Sequence, residues 1–249
     1  MRRSRGLVQA WADASALPGR FTEDLQLVLG EAIANAVEHA YGGGDTTGEV
    51  DYTVCRVDDT TVEATVADHG TWRPRSADAG HRGHGLRVIR SLASTATVDR
   101  HDRGTTVRVT LDVPGRDDPP APAGAPAEWD VRPGTGHLAD ESPDARRLAL
   151  RGDLDLIAVT ALRPEVFAQV TATPSAAGGV RRLVLDLTDV TFLASAGLRL
   201  LVEVAELAAG HGWTVRLRYP AGGLVERVLE VSGLSHLPRT GHPGSTPTS

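Results

Sequence analysis

The first half of the chain combines one strong helix pattern with short runs of alternating polarity. Between Thr22 and His39, apolar residues recur every three or four positions, which predicts a helix with Thr22 as its N-cap. The same reasoning predicts further helices over 5–14 and 83–92, and paired strands over 50–57, 61–67, 96–100 and 105–113. Helices that cover one face of a largely antiparallel sheet form an α+β two-layer sandwich.

In the second half, predicted strands alternate with predicted helices. The predicted strands are 147–150, 182–187 and 214–218, and the predicted helices are 159–170, 195–209 and 222–231. This alternation is typical of a partly parallel α/β sheet.

A proline-rich segment separates the two halves. Residues 114–126 contain five prolines, which can hold neither a helix nor a central strand. We therefore predict a first domain over 1–113, a Pro/Ala-rich linker over 114–127 and a second domain over 128–237. Residues 238–249 are predicted to form a disordered tail.

Composition narrows the function classes. The 249 residues suit two small domains, and a net charge of -6 argues against nucleic acid as a direct partner. The single cysteine, Cys55, excludes an internal disulfide and a cysteine-based zinc site. No apolar run approaches the roughly 18 residues of a membrane span, so no membrane partner is predicted and a cytoplasmic protein is expected.

Glu31 and Asn35 lie four positions apart on the strong helix, so they share one face. An amide oxygen is a hard ligand that suits Mg²⁺, and a carboxylate can position or deprotonate a hydroxyl. Taken alone, the two side chains are better explained as solvated helix residues.

Two glycine-containing segments follow the paired strands. Asp68 ends a strand and can accept a hydrogen bond from an exocyclic amine such as that of adenine, while Gly70 permits close backbone approach. Gly83 and Gly85 precede a helix, where backbone N–H groups can meet a phosphate. Each segment alone is weak evidence, and the absence of lysine excludes a P-loop.

In order and spacing, these segments resemble the GHKL (Bergerat-fold) ATPases, and within them the anti-sigma factor serine kinases, over residues 5–113. The resemblance implies ATP and Mg²⁺ as cofactors, Glu31 as catalytic base and Asn35 as metal ligand. It implies Asp68 as the adenine-reading residue. The further cofactor-binding residues that it implies are Gly70, Arg82, Gly83, Gly85, Leu86 and Thr105. Arg75 or Arg82 is expected to neutralise phosphate charge.

The family usually begins with a strand before its first helix, but here only five residues precede Gly6. Either that strand is absent, or the true start lies upstream, or this is the end of a longer regulator. The family often dimerises through that region, so a homodimer is an open expectation. Histidine kinases share the superfamily, but no phosphoacceptor helix hairpin precedes the predicted ATP domain. The serine kinase resemblance is therefore preferred.

Ser195 stands where a predicted strand gives way to an apolar helix. A serine there commonly serves as an N-cap, but a phosphate on it would also be stabilised by the helix N-terminus. The segment resembles the STAS domain of anti-sigma factor antagonists over residues 128–237, which implies Ser195 as phosphoacceptor. Ala194 and Ala196 replace an acidic residue and a hydroxyl residue of that family's turn.

The two resemblances together predict a bacterial partner-switching regulator of a sigma factor. In one hypothesis the chain is an ATP-dependent serine kinase that phosphorylates its own Ser195 or a separate STAS-domain antagonist. In the alternative it is a non-catalytic scaffold that binds ATP and anti-sigma or sigma factors. A PP2C-type phosphatase is a further expected partner.

Overall fold

The computed structural model describes residues 2–40, 48–70, 84–115, 130–134, 145–171 and 181–239. Contacts within the chain divide it into two compact units, Met1–Ala125 and Pro126–Ser249. Residues 116–127 of the predicted linker and residues 240–249 of the predicted tail lie outside the described residues. In the parts that are described, no helix has the length and apolar character needed to cross a membrane.

The first unit is an α+β sandwich, as predicted. Its sheet is antiparallel with strand order β1-β2-β4-β3. The helices are α1 (Arg2–Ala14), α2 (Gly19–Ala40) and α3 (His84–Leu92), and the strands are β1 (Val50–Asp58), β2 (Thr61–Asp68), β3 (Thr95–His101) and β4 (Gly104–Asp112).

The core of this unit lies between α2 and the central strands β2 and β4. Alternate residues of β2 are buried, as expected for a strand with one covered face. The buried side chains include Leu25, Val28, Leu29 and Ala32 of α2 together with Val62, Ala64, Val66, Val109 and Leu111 of the sheet. This packing fixes the face of α2 that carries Glu31.

The predicted N-cap of α2 was wrong, because the helix begins one turn earlier than Thr22. The Thr22 hydroxyl and its backbone N–H both donate to the carbonyl oxygen of Pro18, at 3.1 Å and 3.0 Å. A threonine inside a helix commonly bonds back to the carbonyl four residues earlier. Thr22 is therefore a buried residue of the first turn.

The second unit has the predicted α/β architecture, with strand order β5-β6-β7-β8. Its elements are β5 (Asp130–Gly134), β6 (Ala145–Leu154), α4 (Leu156–Thr171), β7 (Arg181–Leu193), α5 (Ser195–Gly210), β8 (Trp213–Arg218) and α6 (Leu224–Ser232). Strands β6, β7 and β8 are parallel, so α4 and α5 begin at the same edge of the sheet. Ser195 lies at that edge.

Two features of this unit were not predicted. The antiparallel edge strand β5 was missed because it is short and contains Pro133, which is tolerated only at an edge. Pro238 and Arg239, placed in the tail by sequence, pair with β8: the Leu217 N–H donates to the Pro238 carbonyl oxygen at 2.8 Å. Arg239 also forms an ion pair with Glu226 at 2.6 Å.

A buried carboxylate crosslinks the parallel strands. Asp186 of β7 is 2% exposed and bonds the guanidinium of Arg147 on β6. The Thr188 backbone N–H and hydroxyl also donate to it, at 3.0 Å and 2.5 Å. Burial alone would raise the pKa of Asp186, but the Thr188 hydrogen bonds and the Arg147 charge outweigh it and hold the pKa below its ordinary value.

We expect Asp186→Asn to lower the free energy of unfolding by about 2–4 kcal/mol, because it removes a buried charge that pairs with the half-buried guanidinium of Arg147. Since the folded-state pKa is depressed, the contribution of Asp186 is present at neutral pH and is lost as pH falls through that depressed value. Denaturant unfolding followed between pH 7 and pH 3 measures both effects.

Asp189→Asn is the matched control. Its ion pair with Arg151 at 3.1 Å is solvent-exposed on both sides and should contribute little. Equal losses in the two variants would contradict the assignment of Asp186 as the crosslink.

Candidate functional site

Asp68 closes strand β2 and joins three segments of the first unit. Its side chain is buried, and its Oδ1 accepts backbone N–H groups of Gly70 at 3.2 Å and of Thr105 at 3.1 Å. Within the described residues its Oδ2 makes no hydrogen bond. One oxygen therefore holds the loop in place, while the other is left to accept a donor from a ligand.

Gly104 and Gly70 are required by the close packing around this carboxylate. Gly104 has a φ of +139°, and a Cβ placed there would stand 1.8 Å from the Asp68 carbonyl oxygen. A Cβ on Gly70 would stand 2.4 Å from the Cβ of Ala40. The sequence predicted that Gly70 lets a ligand approach the backbone closely. In the structure, Gly70 also lets the Asp68 turn pack against the end of α2.

Glu31 and Asn35 lie on α2, which ends at Ala40. Glu31 is fully buried and Asn35 is half-buried, so Glu31 is not the solvated residue of the simpler interpretation. Asn35 is five residues before Ala40, or about 7.5 Å along the helix axis. Its Nδ2 is buried without a hydrogen-bond partner in the described part of the chain, which leaves its N–H groups available to an acceptor such as a phosphate oxygen.

The glycine segment is described only in part. Gly85 lies buried in the first turn of α3, and Leu86 beside it is 37% exposed. Arg75, Arg82 and Gly83 lie outside the described residues. Among the described residues no three His, Cys, Asp or Glu side chains form a metal site.

His69, next to Asp68, makes a contact that the sequence did not reveal. Its Nε2 lies 2.7 Å from Asp51 Oδ2 on β1, and this hydrogen bond raises the pKa of His69 above its ordinary value. The contact is exposed and ties the Asp68 turn to the edge strand. The register, which pairs Asp51 with Ala67, brings the two residues together, and this register follows only from the folded sheet.

Ser195 is the first residue of α5, and Ala194 is the N-cap, so the interpretation of Ser195 as N-cap was wrong. Ala194 has the extended dihedral angles of a cap residue but offers no side-chain hydrogen bond. Ser195 is half-buried. A Cβ on Gly197 would stand 2.9 Å from the Leu154 carbonyl oxygen, so glycine lets the first turn press against the end of β6.

Comparison with known families accounts for both units. A family model described as histidine kinase-like ATPase domain matches residues 1–111, and one described as Mlab, STAS domain matches residues 137–239. The chain contains a histidine kinase-like ATPase domain followed by a STAS domain. The ATPase match implies ATP binding by the first domain, where Asp68 and Asn35 lie.

Solved structures show likeness to one domain at a time. An anti-sigma factor antagonist from Mycobacterium paratuberculosis is 21% identical, with 46% of this chain and 88% of that chain covered and a TM-score of 0.36. The anti-sigma factor antagonist SpoIIAA, in its unphosphorylated form, is 17% identical, with 46% and 89% covered and a TM-score of 0.33. A blue-light activated histidine kinase, Erythrobacter litoralis EL346, is 22% identical, with 39% and only 32% covered and a TM-score of 0.32.

We expect Gly104→Ala to destabilise the ATPase domain by about 2–4 kcal/mol and to abolish nucleotide binding, because the added methyl group forces the β3–β4 turn away from Asp68. Thermal unfolding with and without ATP measures both effects. Gly6→Ala on α1 is the control, since open space surrounds that position and alanine favours a helix. A Gly104→Ala protein with normal stability and ATP binding would contradict this role.

Proposed function

We propose that the ATPase domain is a protein serine kinase of a partner-switching system that regulates a sigma factor. It transfers the γ-phosphoryl group of ATP to a STAS-domain serine, which is either Ser195 of this chain or a serine of a separate antagonist. The observation that carries the proposal is Asp68, a buried carboxylate with one oxygen engaged by the backbone and the other open. The identity of the second domain supplies the acceptor class.

Each site residue has a separate task in this mechanism. Asp68 Oδ2 would accept the exocyclic N–H of adenine, and Asn35 Oδ1 would hold the Mg²⁺ that accompanies ATP. When bound, the metal would supply charge neutralisation on the phosphate oxygens, and the protein would contribute positioning and electrostatics. Gly83 and Gly85 contribute backbone N–H groups to the phosphates.

Glu31 is assigned as the base. The serine hydroxyl oxygen forms a bond to the γ-phosphorus while the bond from that phosphorus to the β,γ-bridging oxygen breaks and ADP leaves. The hydroxyl proton passes to the Glu31 carboxylate. The position of Glu31 supports this role, because it lies one helical turn before Asn35 on α2 and a positioned carboxylate can accept a hydroxyl proton.

Partner switching follows from the charge that the phosphate adds to the STAS surface. A STAS domain with an unmodified serine would bind one partner, and the same domain with phosphoserine would bind a different partner. A sigma factor would be released or bound as a result. A PP2C-type phosphatase would reverse the change. Phosphorylation adds nearly two negative charges at the start of α5, enough to change which surface binds there.

A second candidate function is a non-catalytic scaffold, in which ATP sets the conformation of the first domain and the STAS domain only binds partners. Ala194 favours it, because the residue before Ser195 carries neither an acid nor a hydroxyl group. The two functions differ in whether phosphate is transferred.

We expect incubation with Mg-ATP to place phosphate on Ser195 or on an added STAS antagonist, and Glu31→Gln to slow transfer by about 100-fold or more while ATP still binds. Glutamine keeps the shape of the buried side chain and removes only the base. Mass spectrometry locates the phosphate, and Ser195→Ala distinguishes the two acceptors. Glu38→Gln, on the same helix, is the matched control. A wild-type protein that binds ATP but phosphorylates neither acceptor would reject the kinase and support the non-catalytic scaffold.

We expect Asp68→Asn to weaken ATP binding by about 10–100-fold, because the amide can keep the bonds of Oδ1 but presents N–H in place of Oδ2. Inosine triphosphate has a carbonyl oxygen where ATP has the amine, so its binding should improve in the same variant. Isothermal titration with both nucleotides measures the reversal. An unchanged preference for ATP would exclude Asp68 as the adenine-reading residue.

A further inference from the structure

The parallel sheet of the STAS domain has one face against helix α4, and arginines lie on the opposite face. The side chain of Arg146 on β6 donates to Gln169 Oε1 of α4 at 2.7 Å, so Arg146 belongs to the face that α4 covers. Successive residues of a strand point to opposite faces of the sheet. Arg147, the next residue of β6, therefore lies on the face away from α4.

The strand register places three more arginines beside Arg147. Arg147 of β6 and Arg216 of β8 both pair with Val184 of β7, which stands between them. Arg182 lies two residues before Val184, and Arg218 lies two residues after Arg216. Because residues two apart share a face, all four arginines lie on the same side of the sheet. Together they form the arginine face, which consists of Arg147, Arg182, Arg216 and Arg218.

The arginine face carries more positive charge than its own carboxylate neutralises. Asp186 is buried, bonds the guanidinium of Arg147 and lies 3.9 Å from Arg218 Nη1. Arg216 donates to the backbone carbonyl oxygen of Arg239 at 3.5 Å, which is a neutral acceptor. Four guanidinium groups therefore share one carboxylate, and four minus one leaves a local excess of three positive charges among these residues.

Arg182 is the arginine of this face that has no partner. Among the described residues, no hydrogen bond or ion pair reaches its side chain, which is half-buried. Arg147 Nε and Arg218 Nη1 also lack a hydrogen-bond partner in this part of the chain. Polar groups at such positions are normally satisfied. The face therefore has more hydrogen-bond donors than the domain itself provides acceptors for.

The distribution of charge indicates which kind of anion fits. From Pro126 to Ser249 the chain has 12 arginines and 14 acidic residues, so the net charge is 12 minus 14, or -2. Such a domain does not attract a long polyanion such as duplex DNA, whose binding depends on contacts with many phosphates. A local group of arginines is instead suited to a short segment with a few carboxylates, because each carboxylate can accept two parallel N–H bonds from one guanidinium.

We propose that the arginine face is the docking surface for an acidic segment of a partner protein. Arg182 and Arg216 bind carboxylates of that segment. Arg147 and Arg218 keep Asp186 as their partner and add to the positive potential of the surface. Charges arranged in this way determine which partner binds and how fast it associates.

This surface is separate from the edge of the sheet that carries Ser195. Arg182 is the second residue of β7, which ends at Leu193. The eleven residues between these positions span about 35 Å in an extended strand. The docking surface therefore requires neither the kinase reaction nor a phosphate on Ser195.

The test uses the full chain and a fluorescein-labelled octaglutamate peptide, whose binding is measured by fluorescence anisotropy. We expect saturable binding at about 50 mM salt and weaker binding at about 500 mM, because salt screens charges at a protein surface. Arg182→Gln and Arg216→Gln should each weaken binding by about 3–10-fold. Neither substitution removes a partner of Asp186.

Two control variants separate a defined surface from a general effect of charge. Arg182→Lys keeps the charge and should retain most of the binding. Arg163→Gln on α4 removes one charge of the same domain from the side of the sheet that α4 covers, and it should change binding by less than about 2-fold. Thermal unfolding checks that each variant is folded. Equal binding in wild type, Arg182→Gln, Arg216→Gln and Arg163→Gln would overturn the proposal, as would a wild type that does not bind the peptide.

A short DNA duplex, tested under the same conditions, separates an acidic protein segment from a nucleic acid. We expect the duplex to bind more weakly than octaglutamate. A duplex that binds more tightly, and that loses its binding in Arg182→Gln and Arg216→Gln, would overturn the assignment of a protein partner. ATP is absent from all these measurements, so a failure of phosphate transfer would reject the kinase and leave this result unchanged.

Discussion

The end of the sheet in the ATPase domain depends on one buried carboxylate, that of Asp68. The Oδ1 atom of Asp68 accepts hydrogen bonds from the backbone N–H groups of Gly70 and Thr105 at the end of the sheet. These bonds join the end of β2 to the start of β4. A buried carboxylate is costly unless such donors surround it. Because the loop already supplies two, the second oxygen can be presented to a ligand without reorganisation.

The glycines around Asp68 follow from that arrangement. The backbone passes so close to Asp68 at Gly104, and so close to Ala40 at Gly70, that neither position has room for a Cβ. The same contact at Ala40 sets the Asp68 turn against α2, on which Glu31 and Asn35 stand. Asp68 and the end of α2 are thus held together by backbone packing rather than by contacts between the side chains of Asp68, Glu31 and Asn35.

The sequence predicted the parts of this arrangement that depend on local pattern. Helix α2, the two-layer sheet and the parallel α/β domain follow from periodicity, and the motif positions follow from the order of Asn35, Asp68 and Gly85. The contact of His69 with Asp51 depends on strand register, which the periodicity does not fix. The start of α2 was misplaced because Thr22 carries the chemistry of a cap but uses it inside the first turn. Strand β5 was missed because its pairing with β6 is long-range and Pro133 obscures the pattern.

Ala194 changes the electrostatics at the start of α5. An acid at position 194 would make this turn negative before any modification, and a phosphate would only increase that charge. With alanine at 194, the first turn carries no acidic side chain, and a phosphate of nearly two negative charges on Ser195 would be the first negative charge there. A partner that binds this surface would then meet a turn without an anion in one state and with an anion in the other. Such a contrast is more selective than a change in the amount of negative charge, because like charges at an interface are repelled.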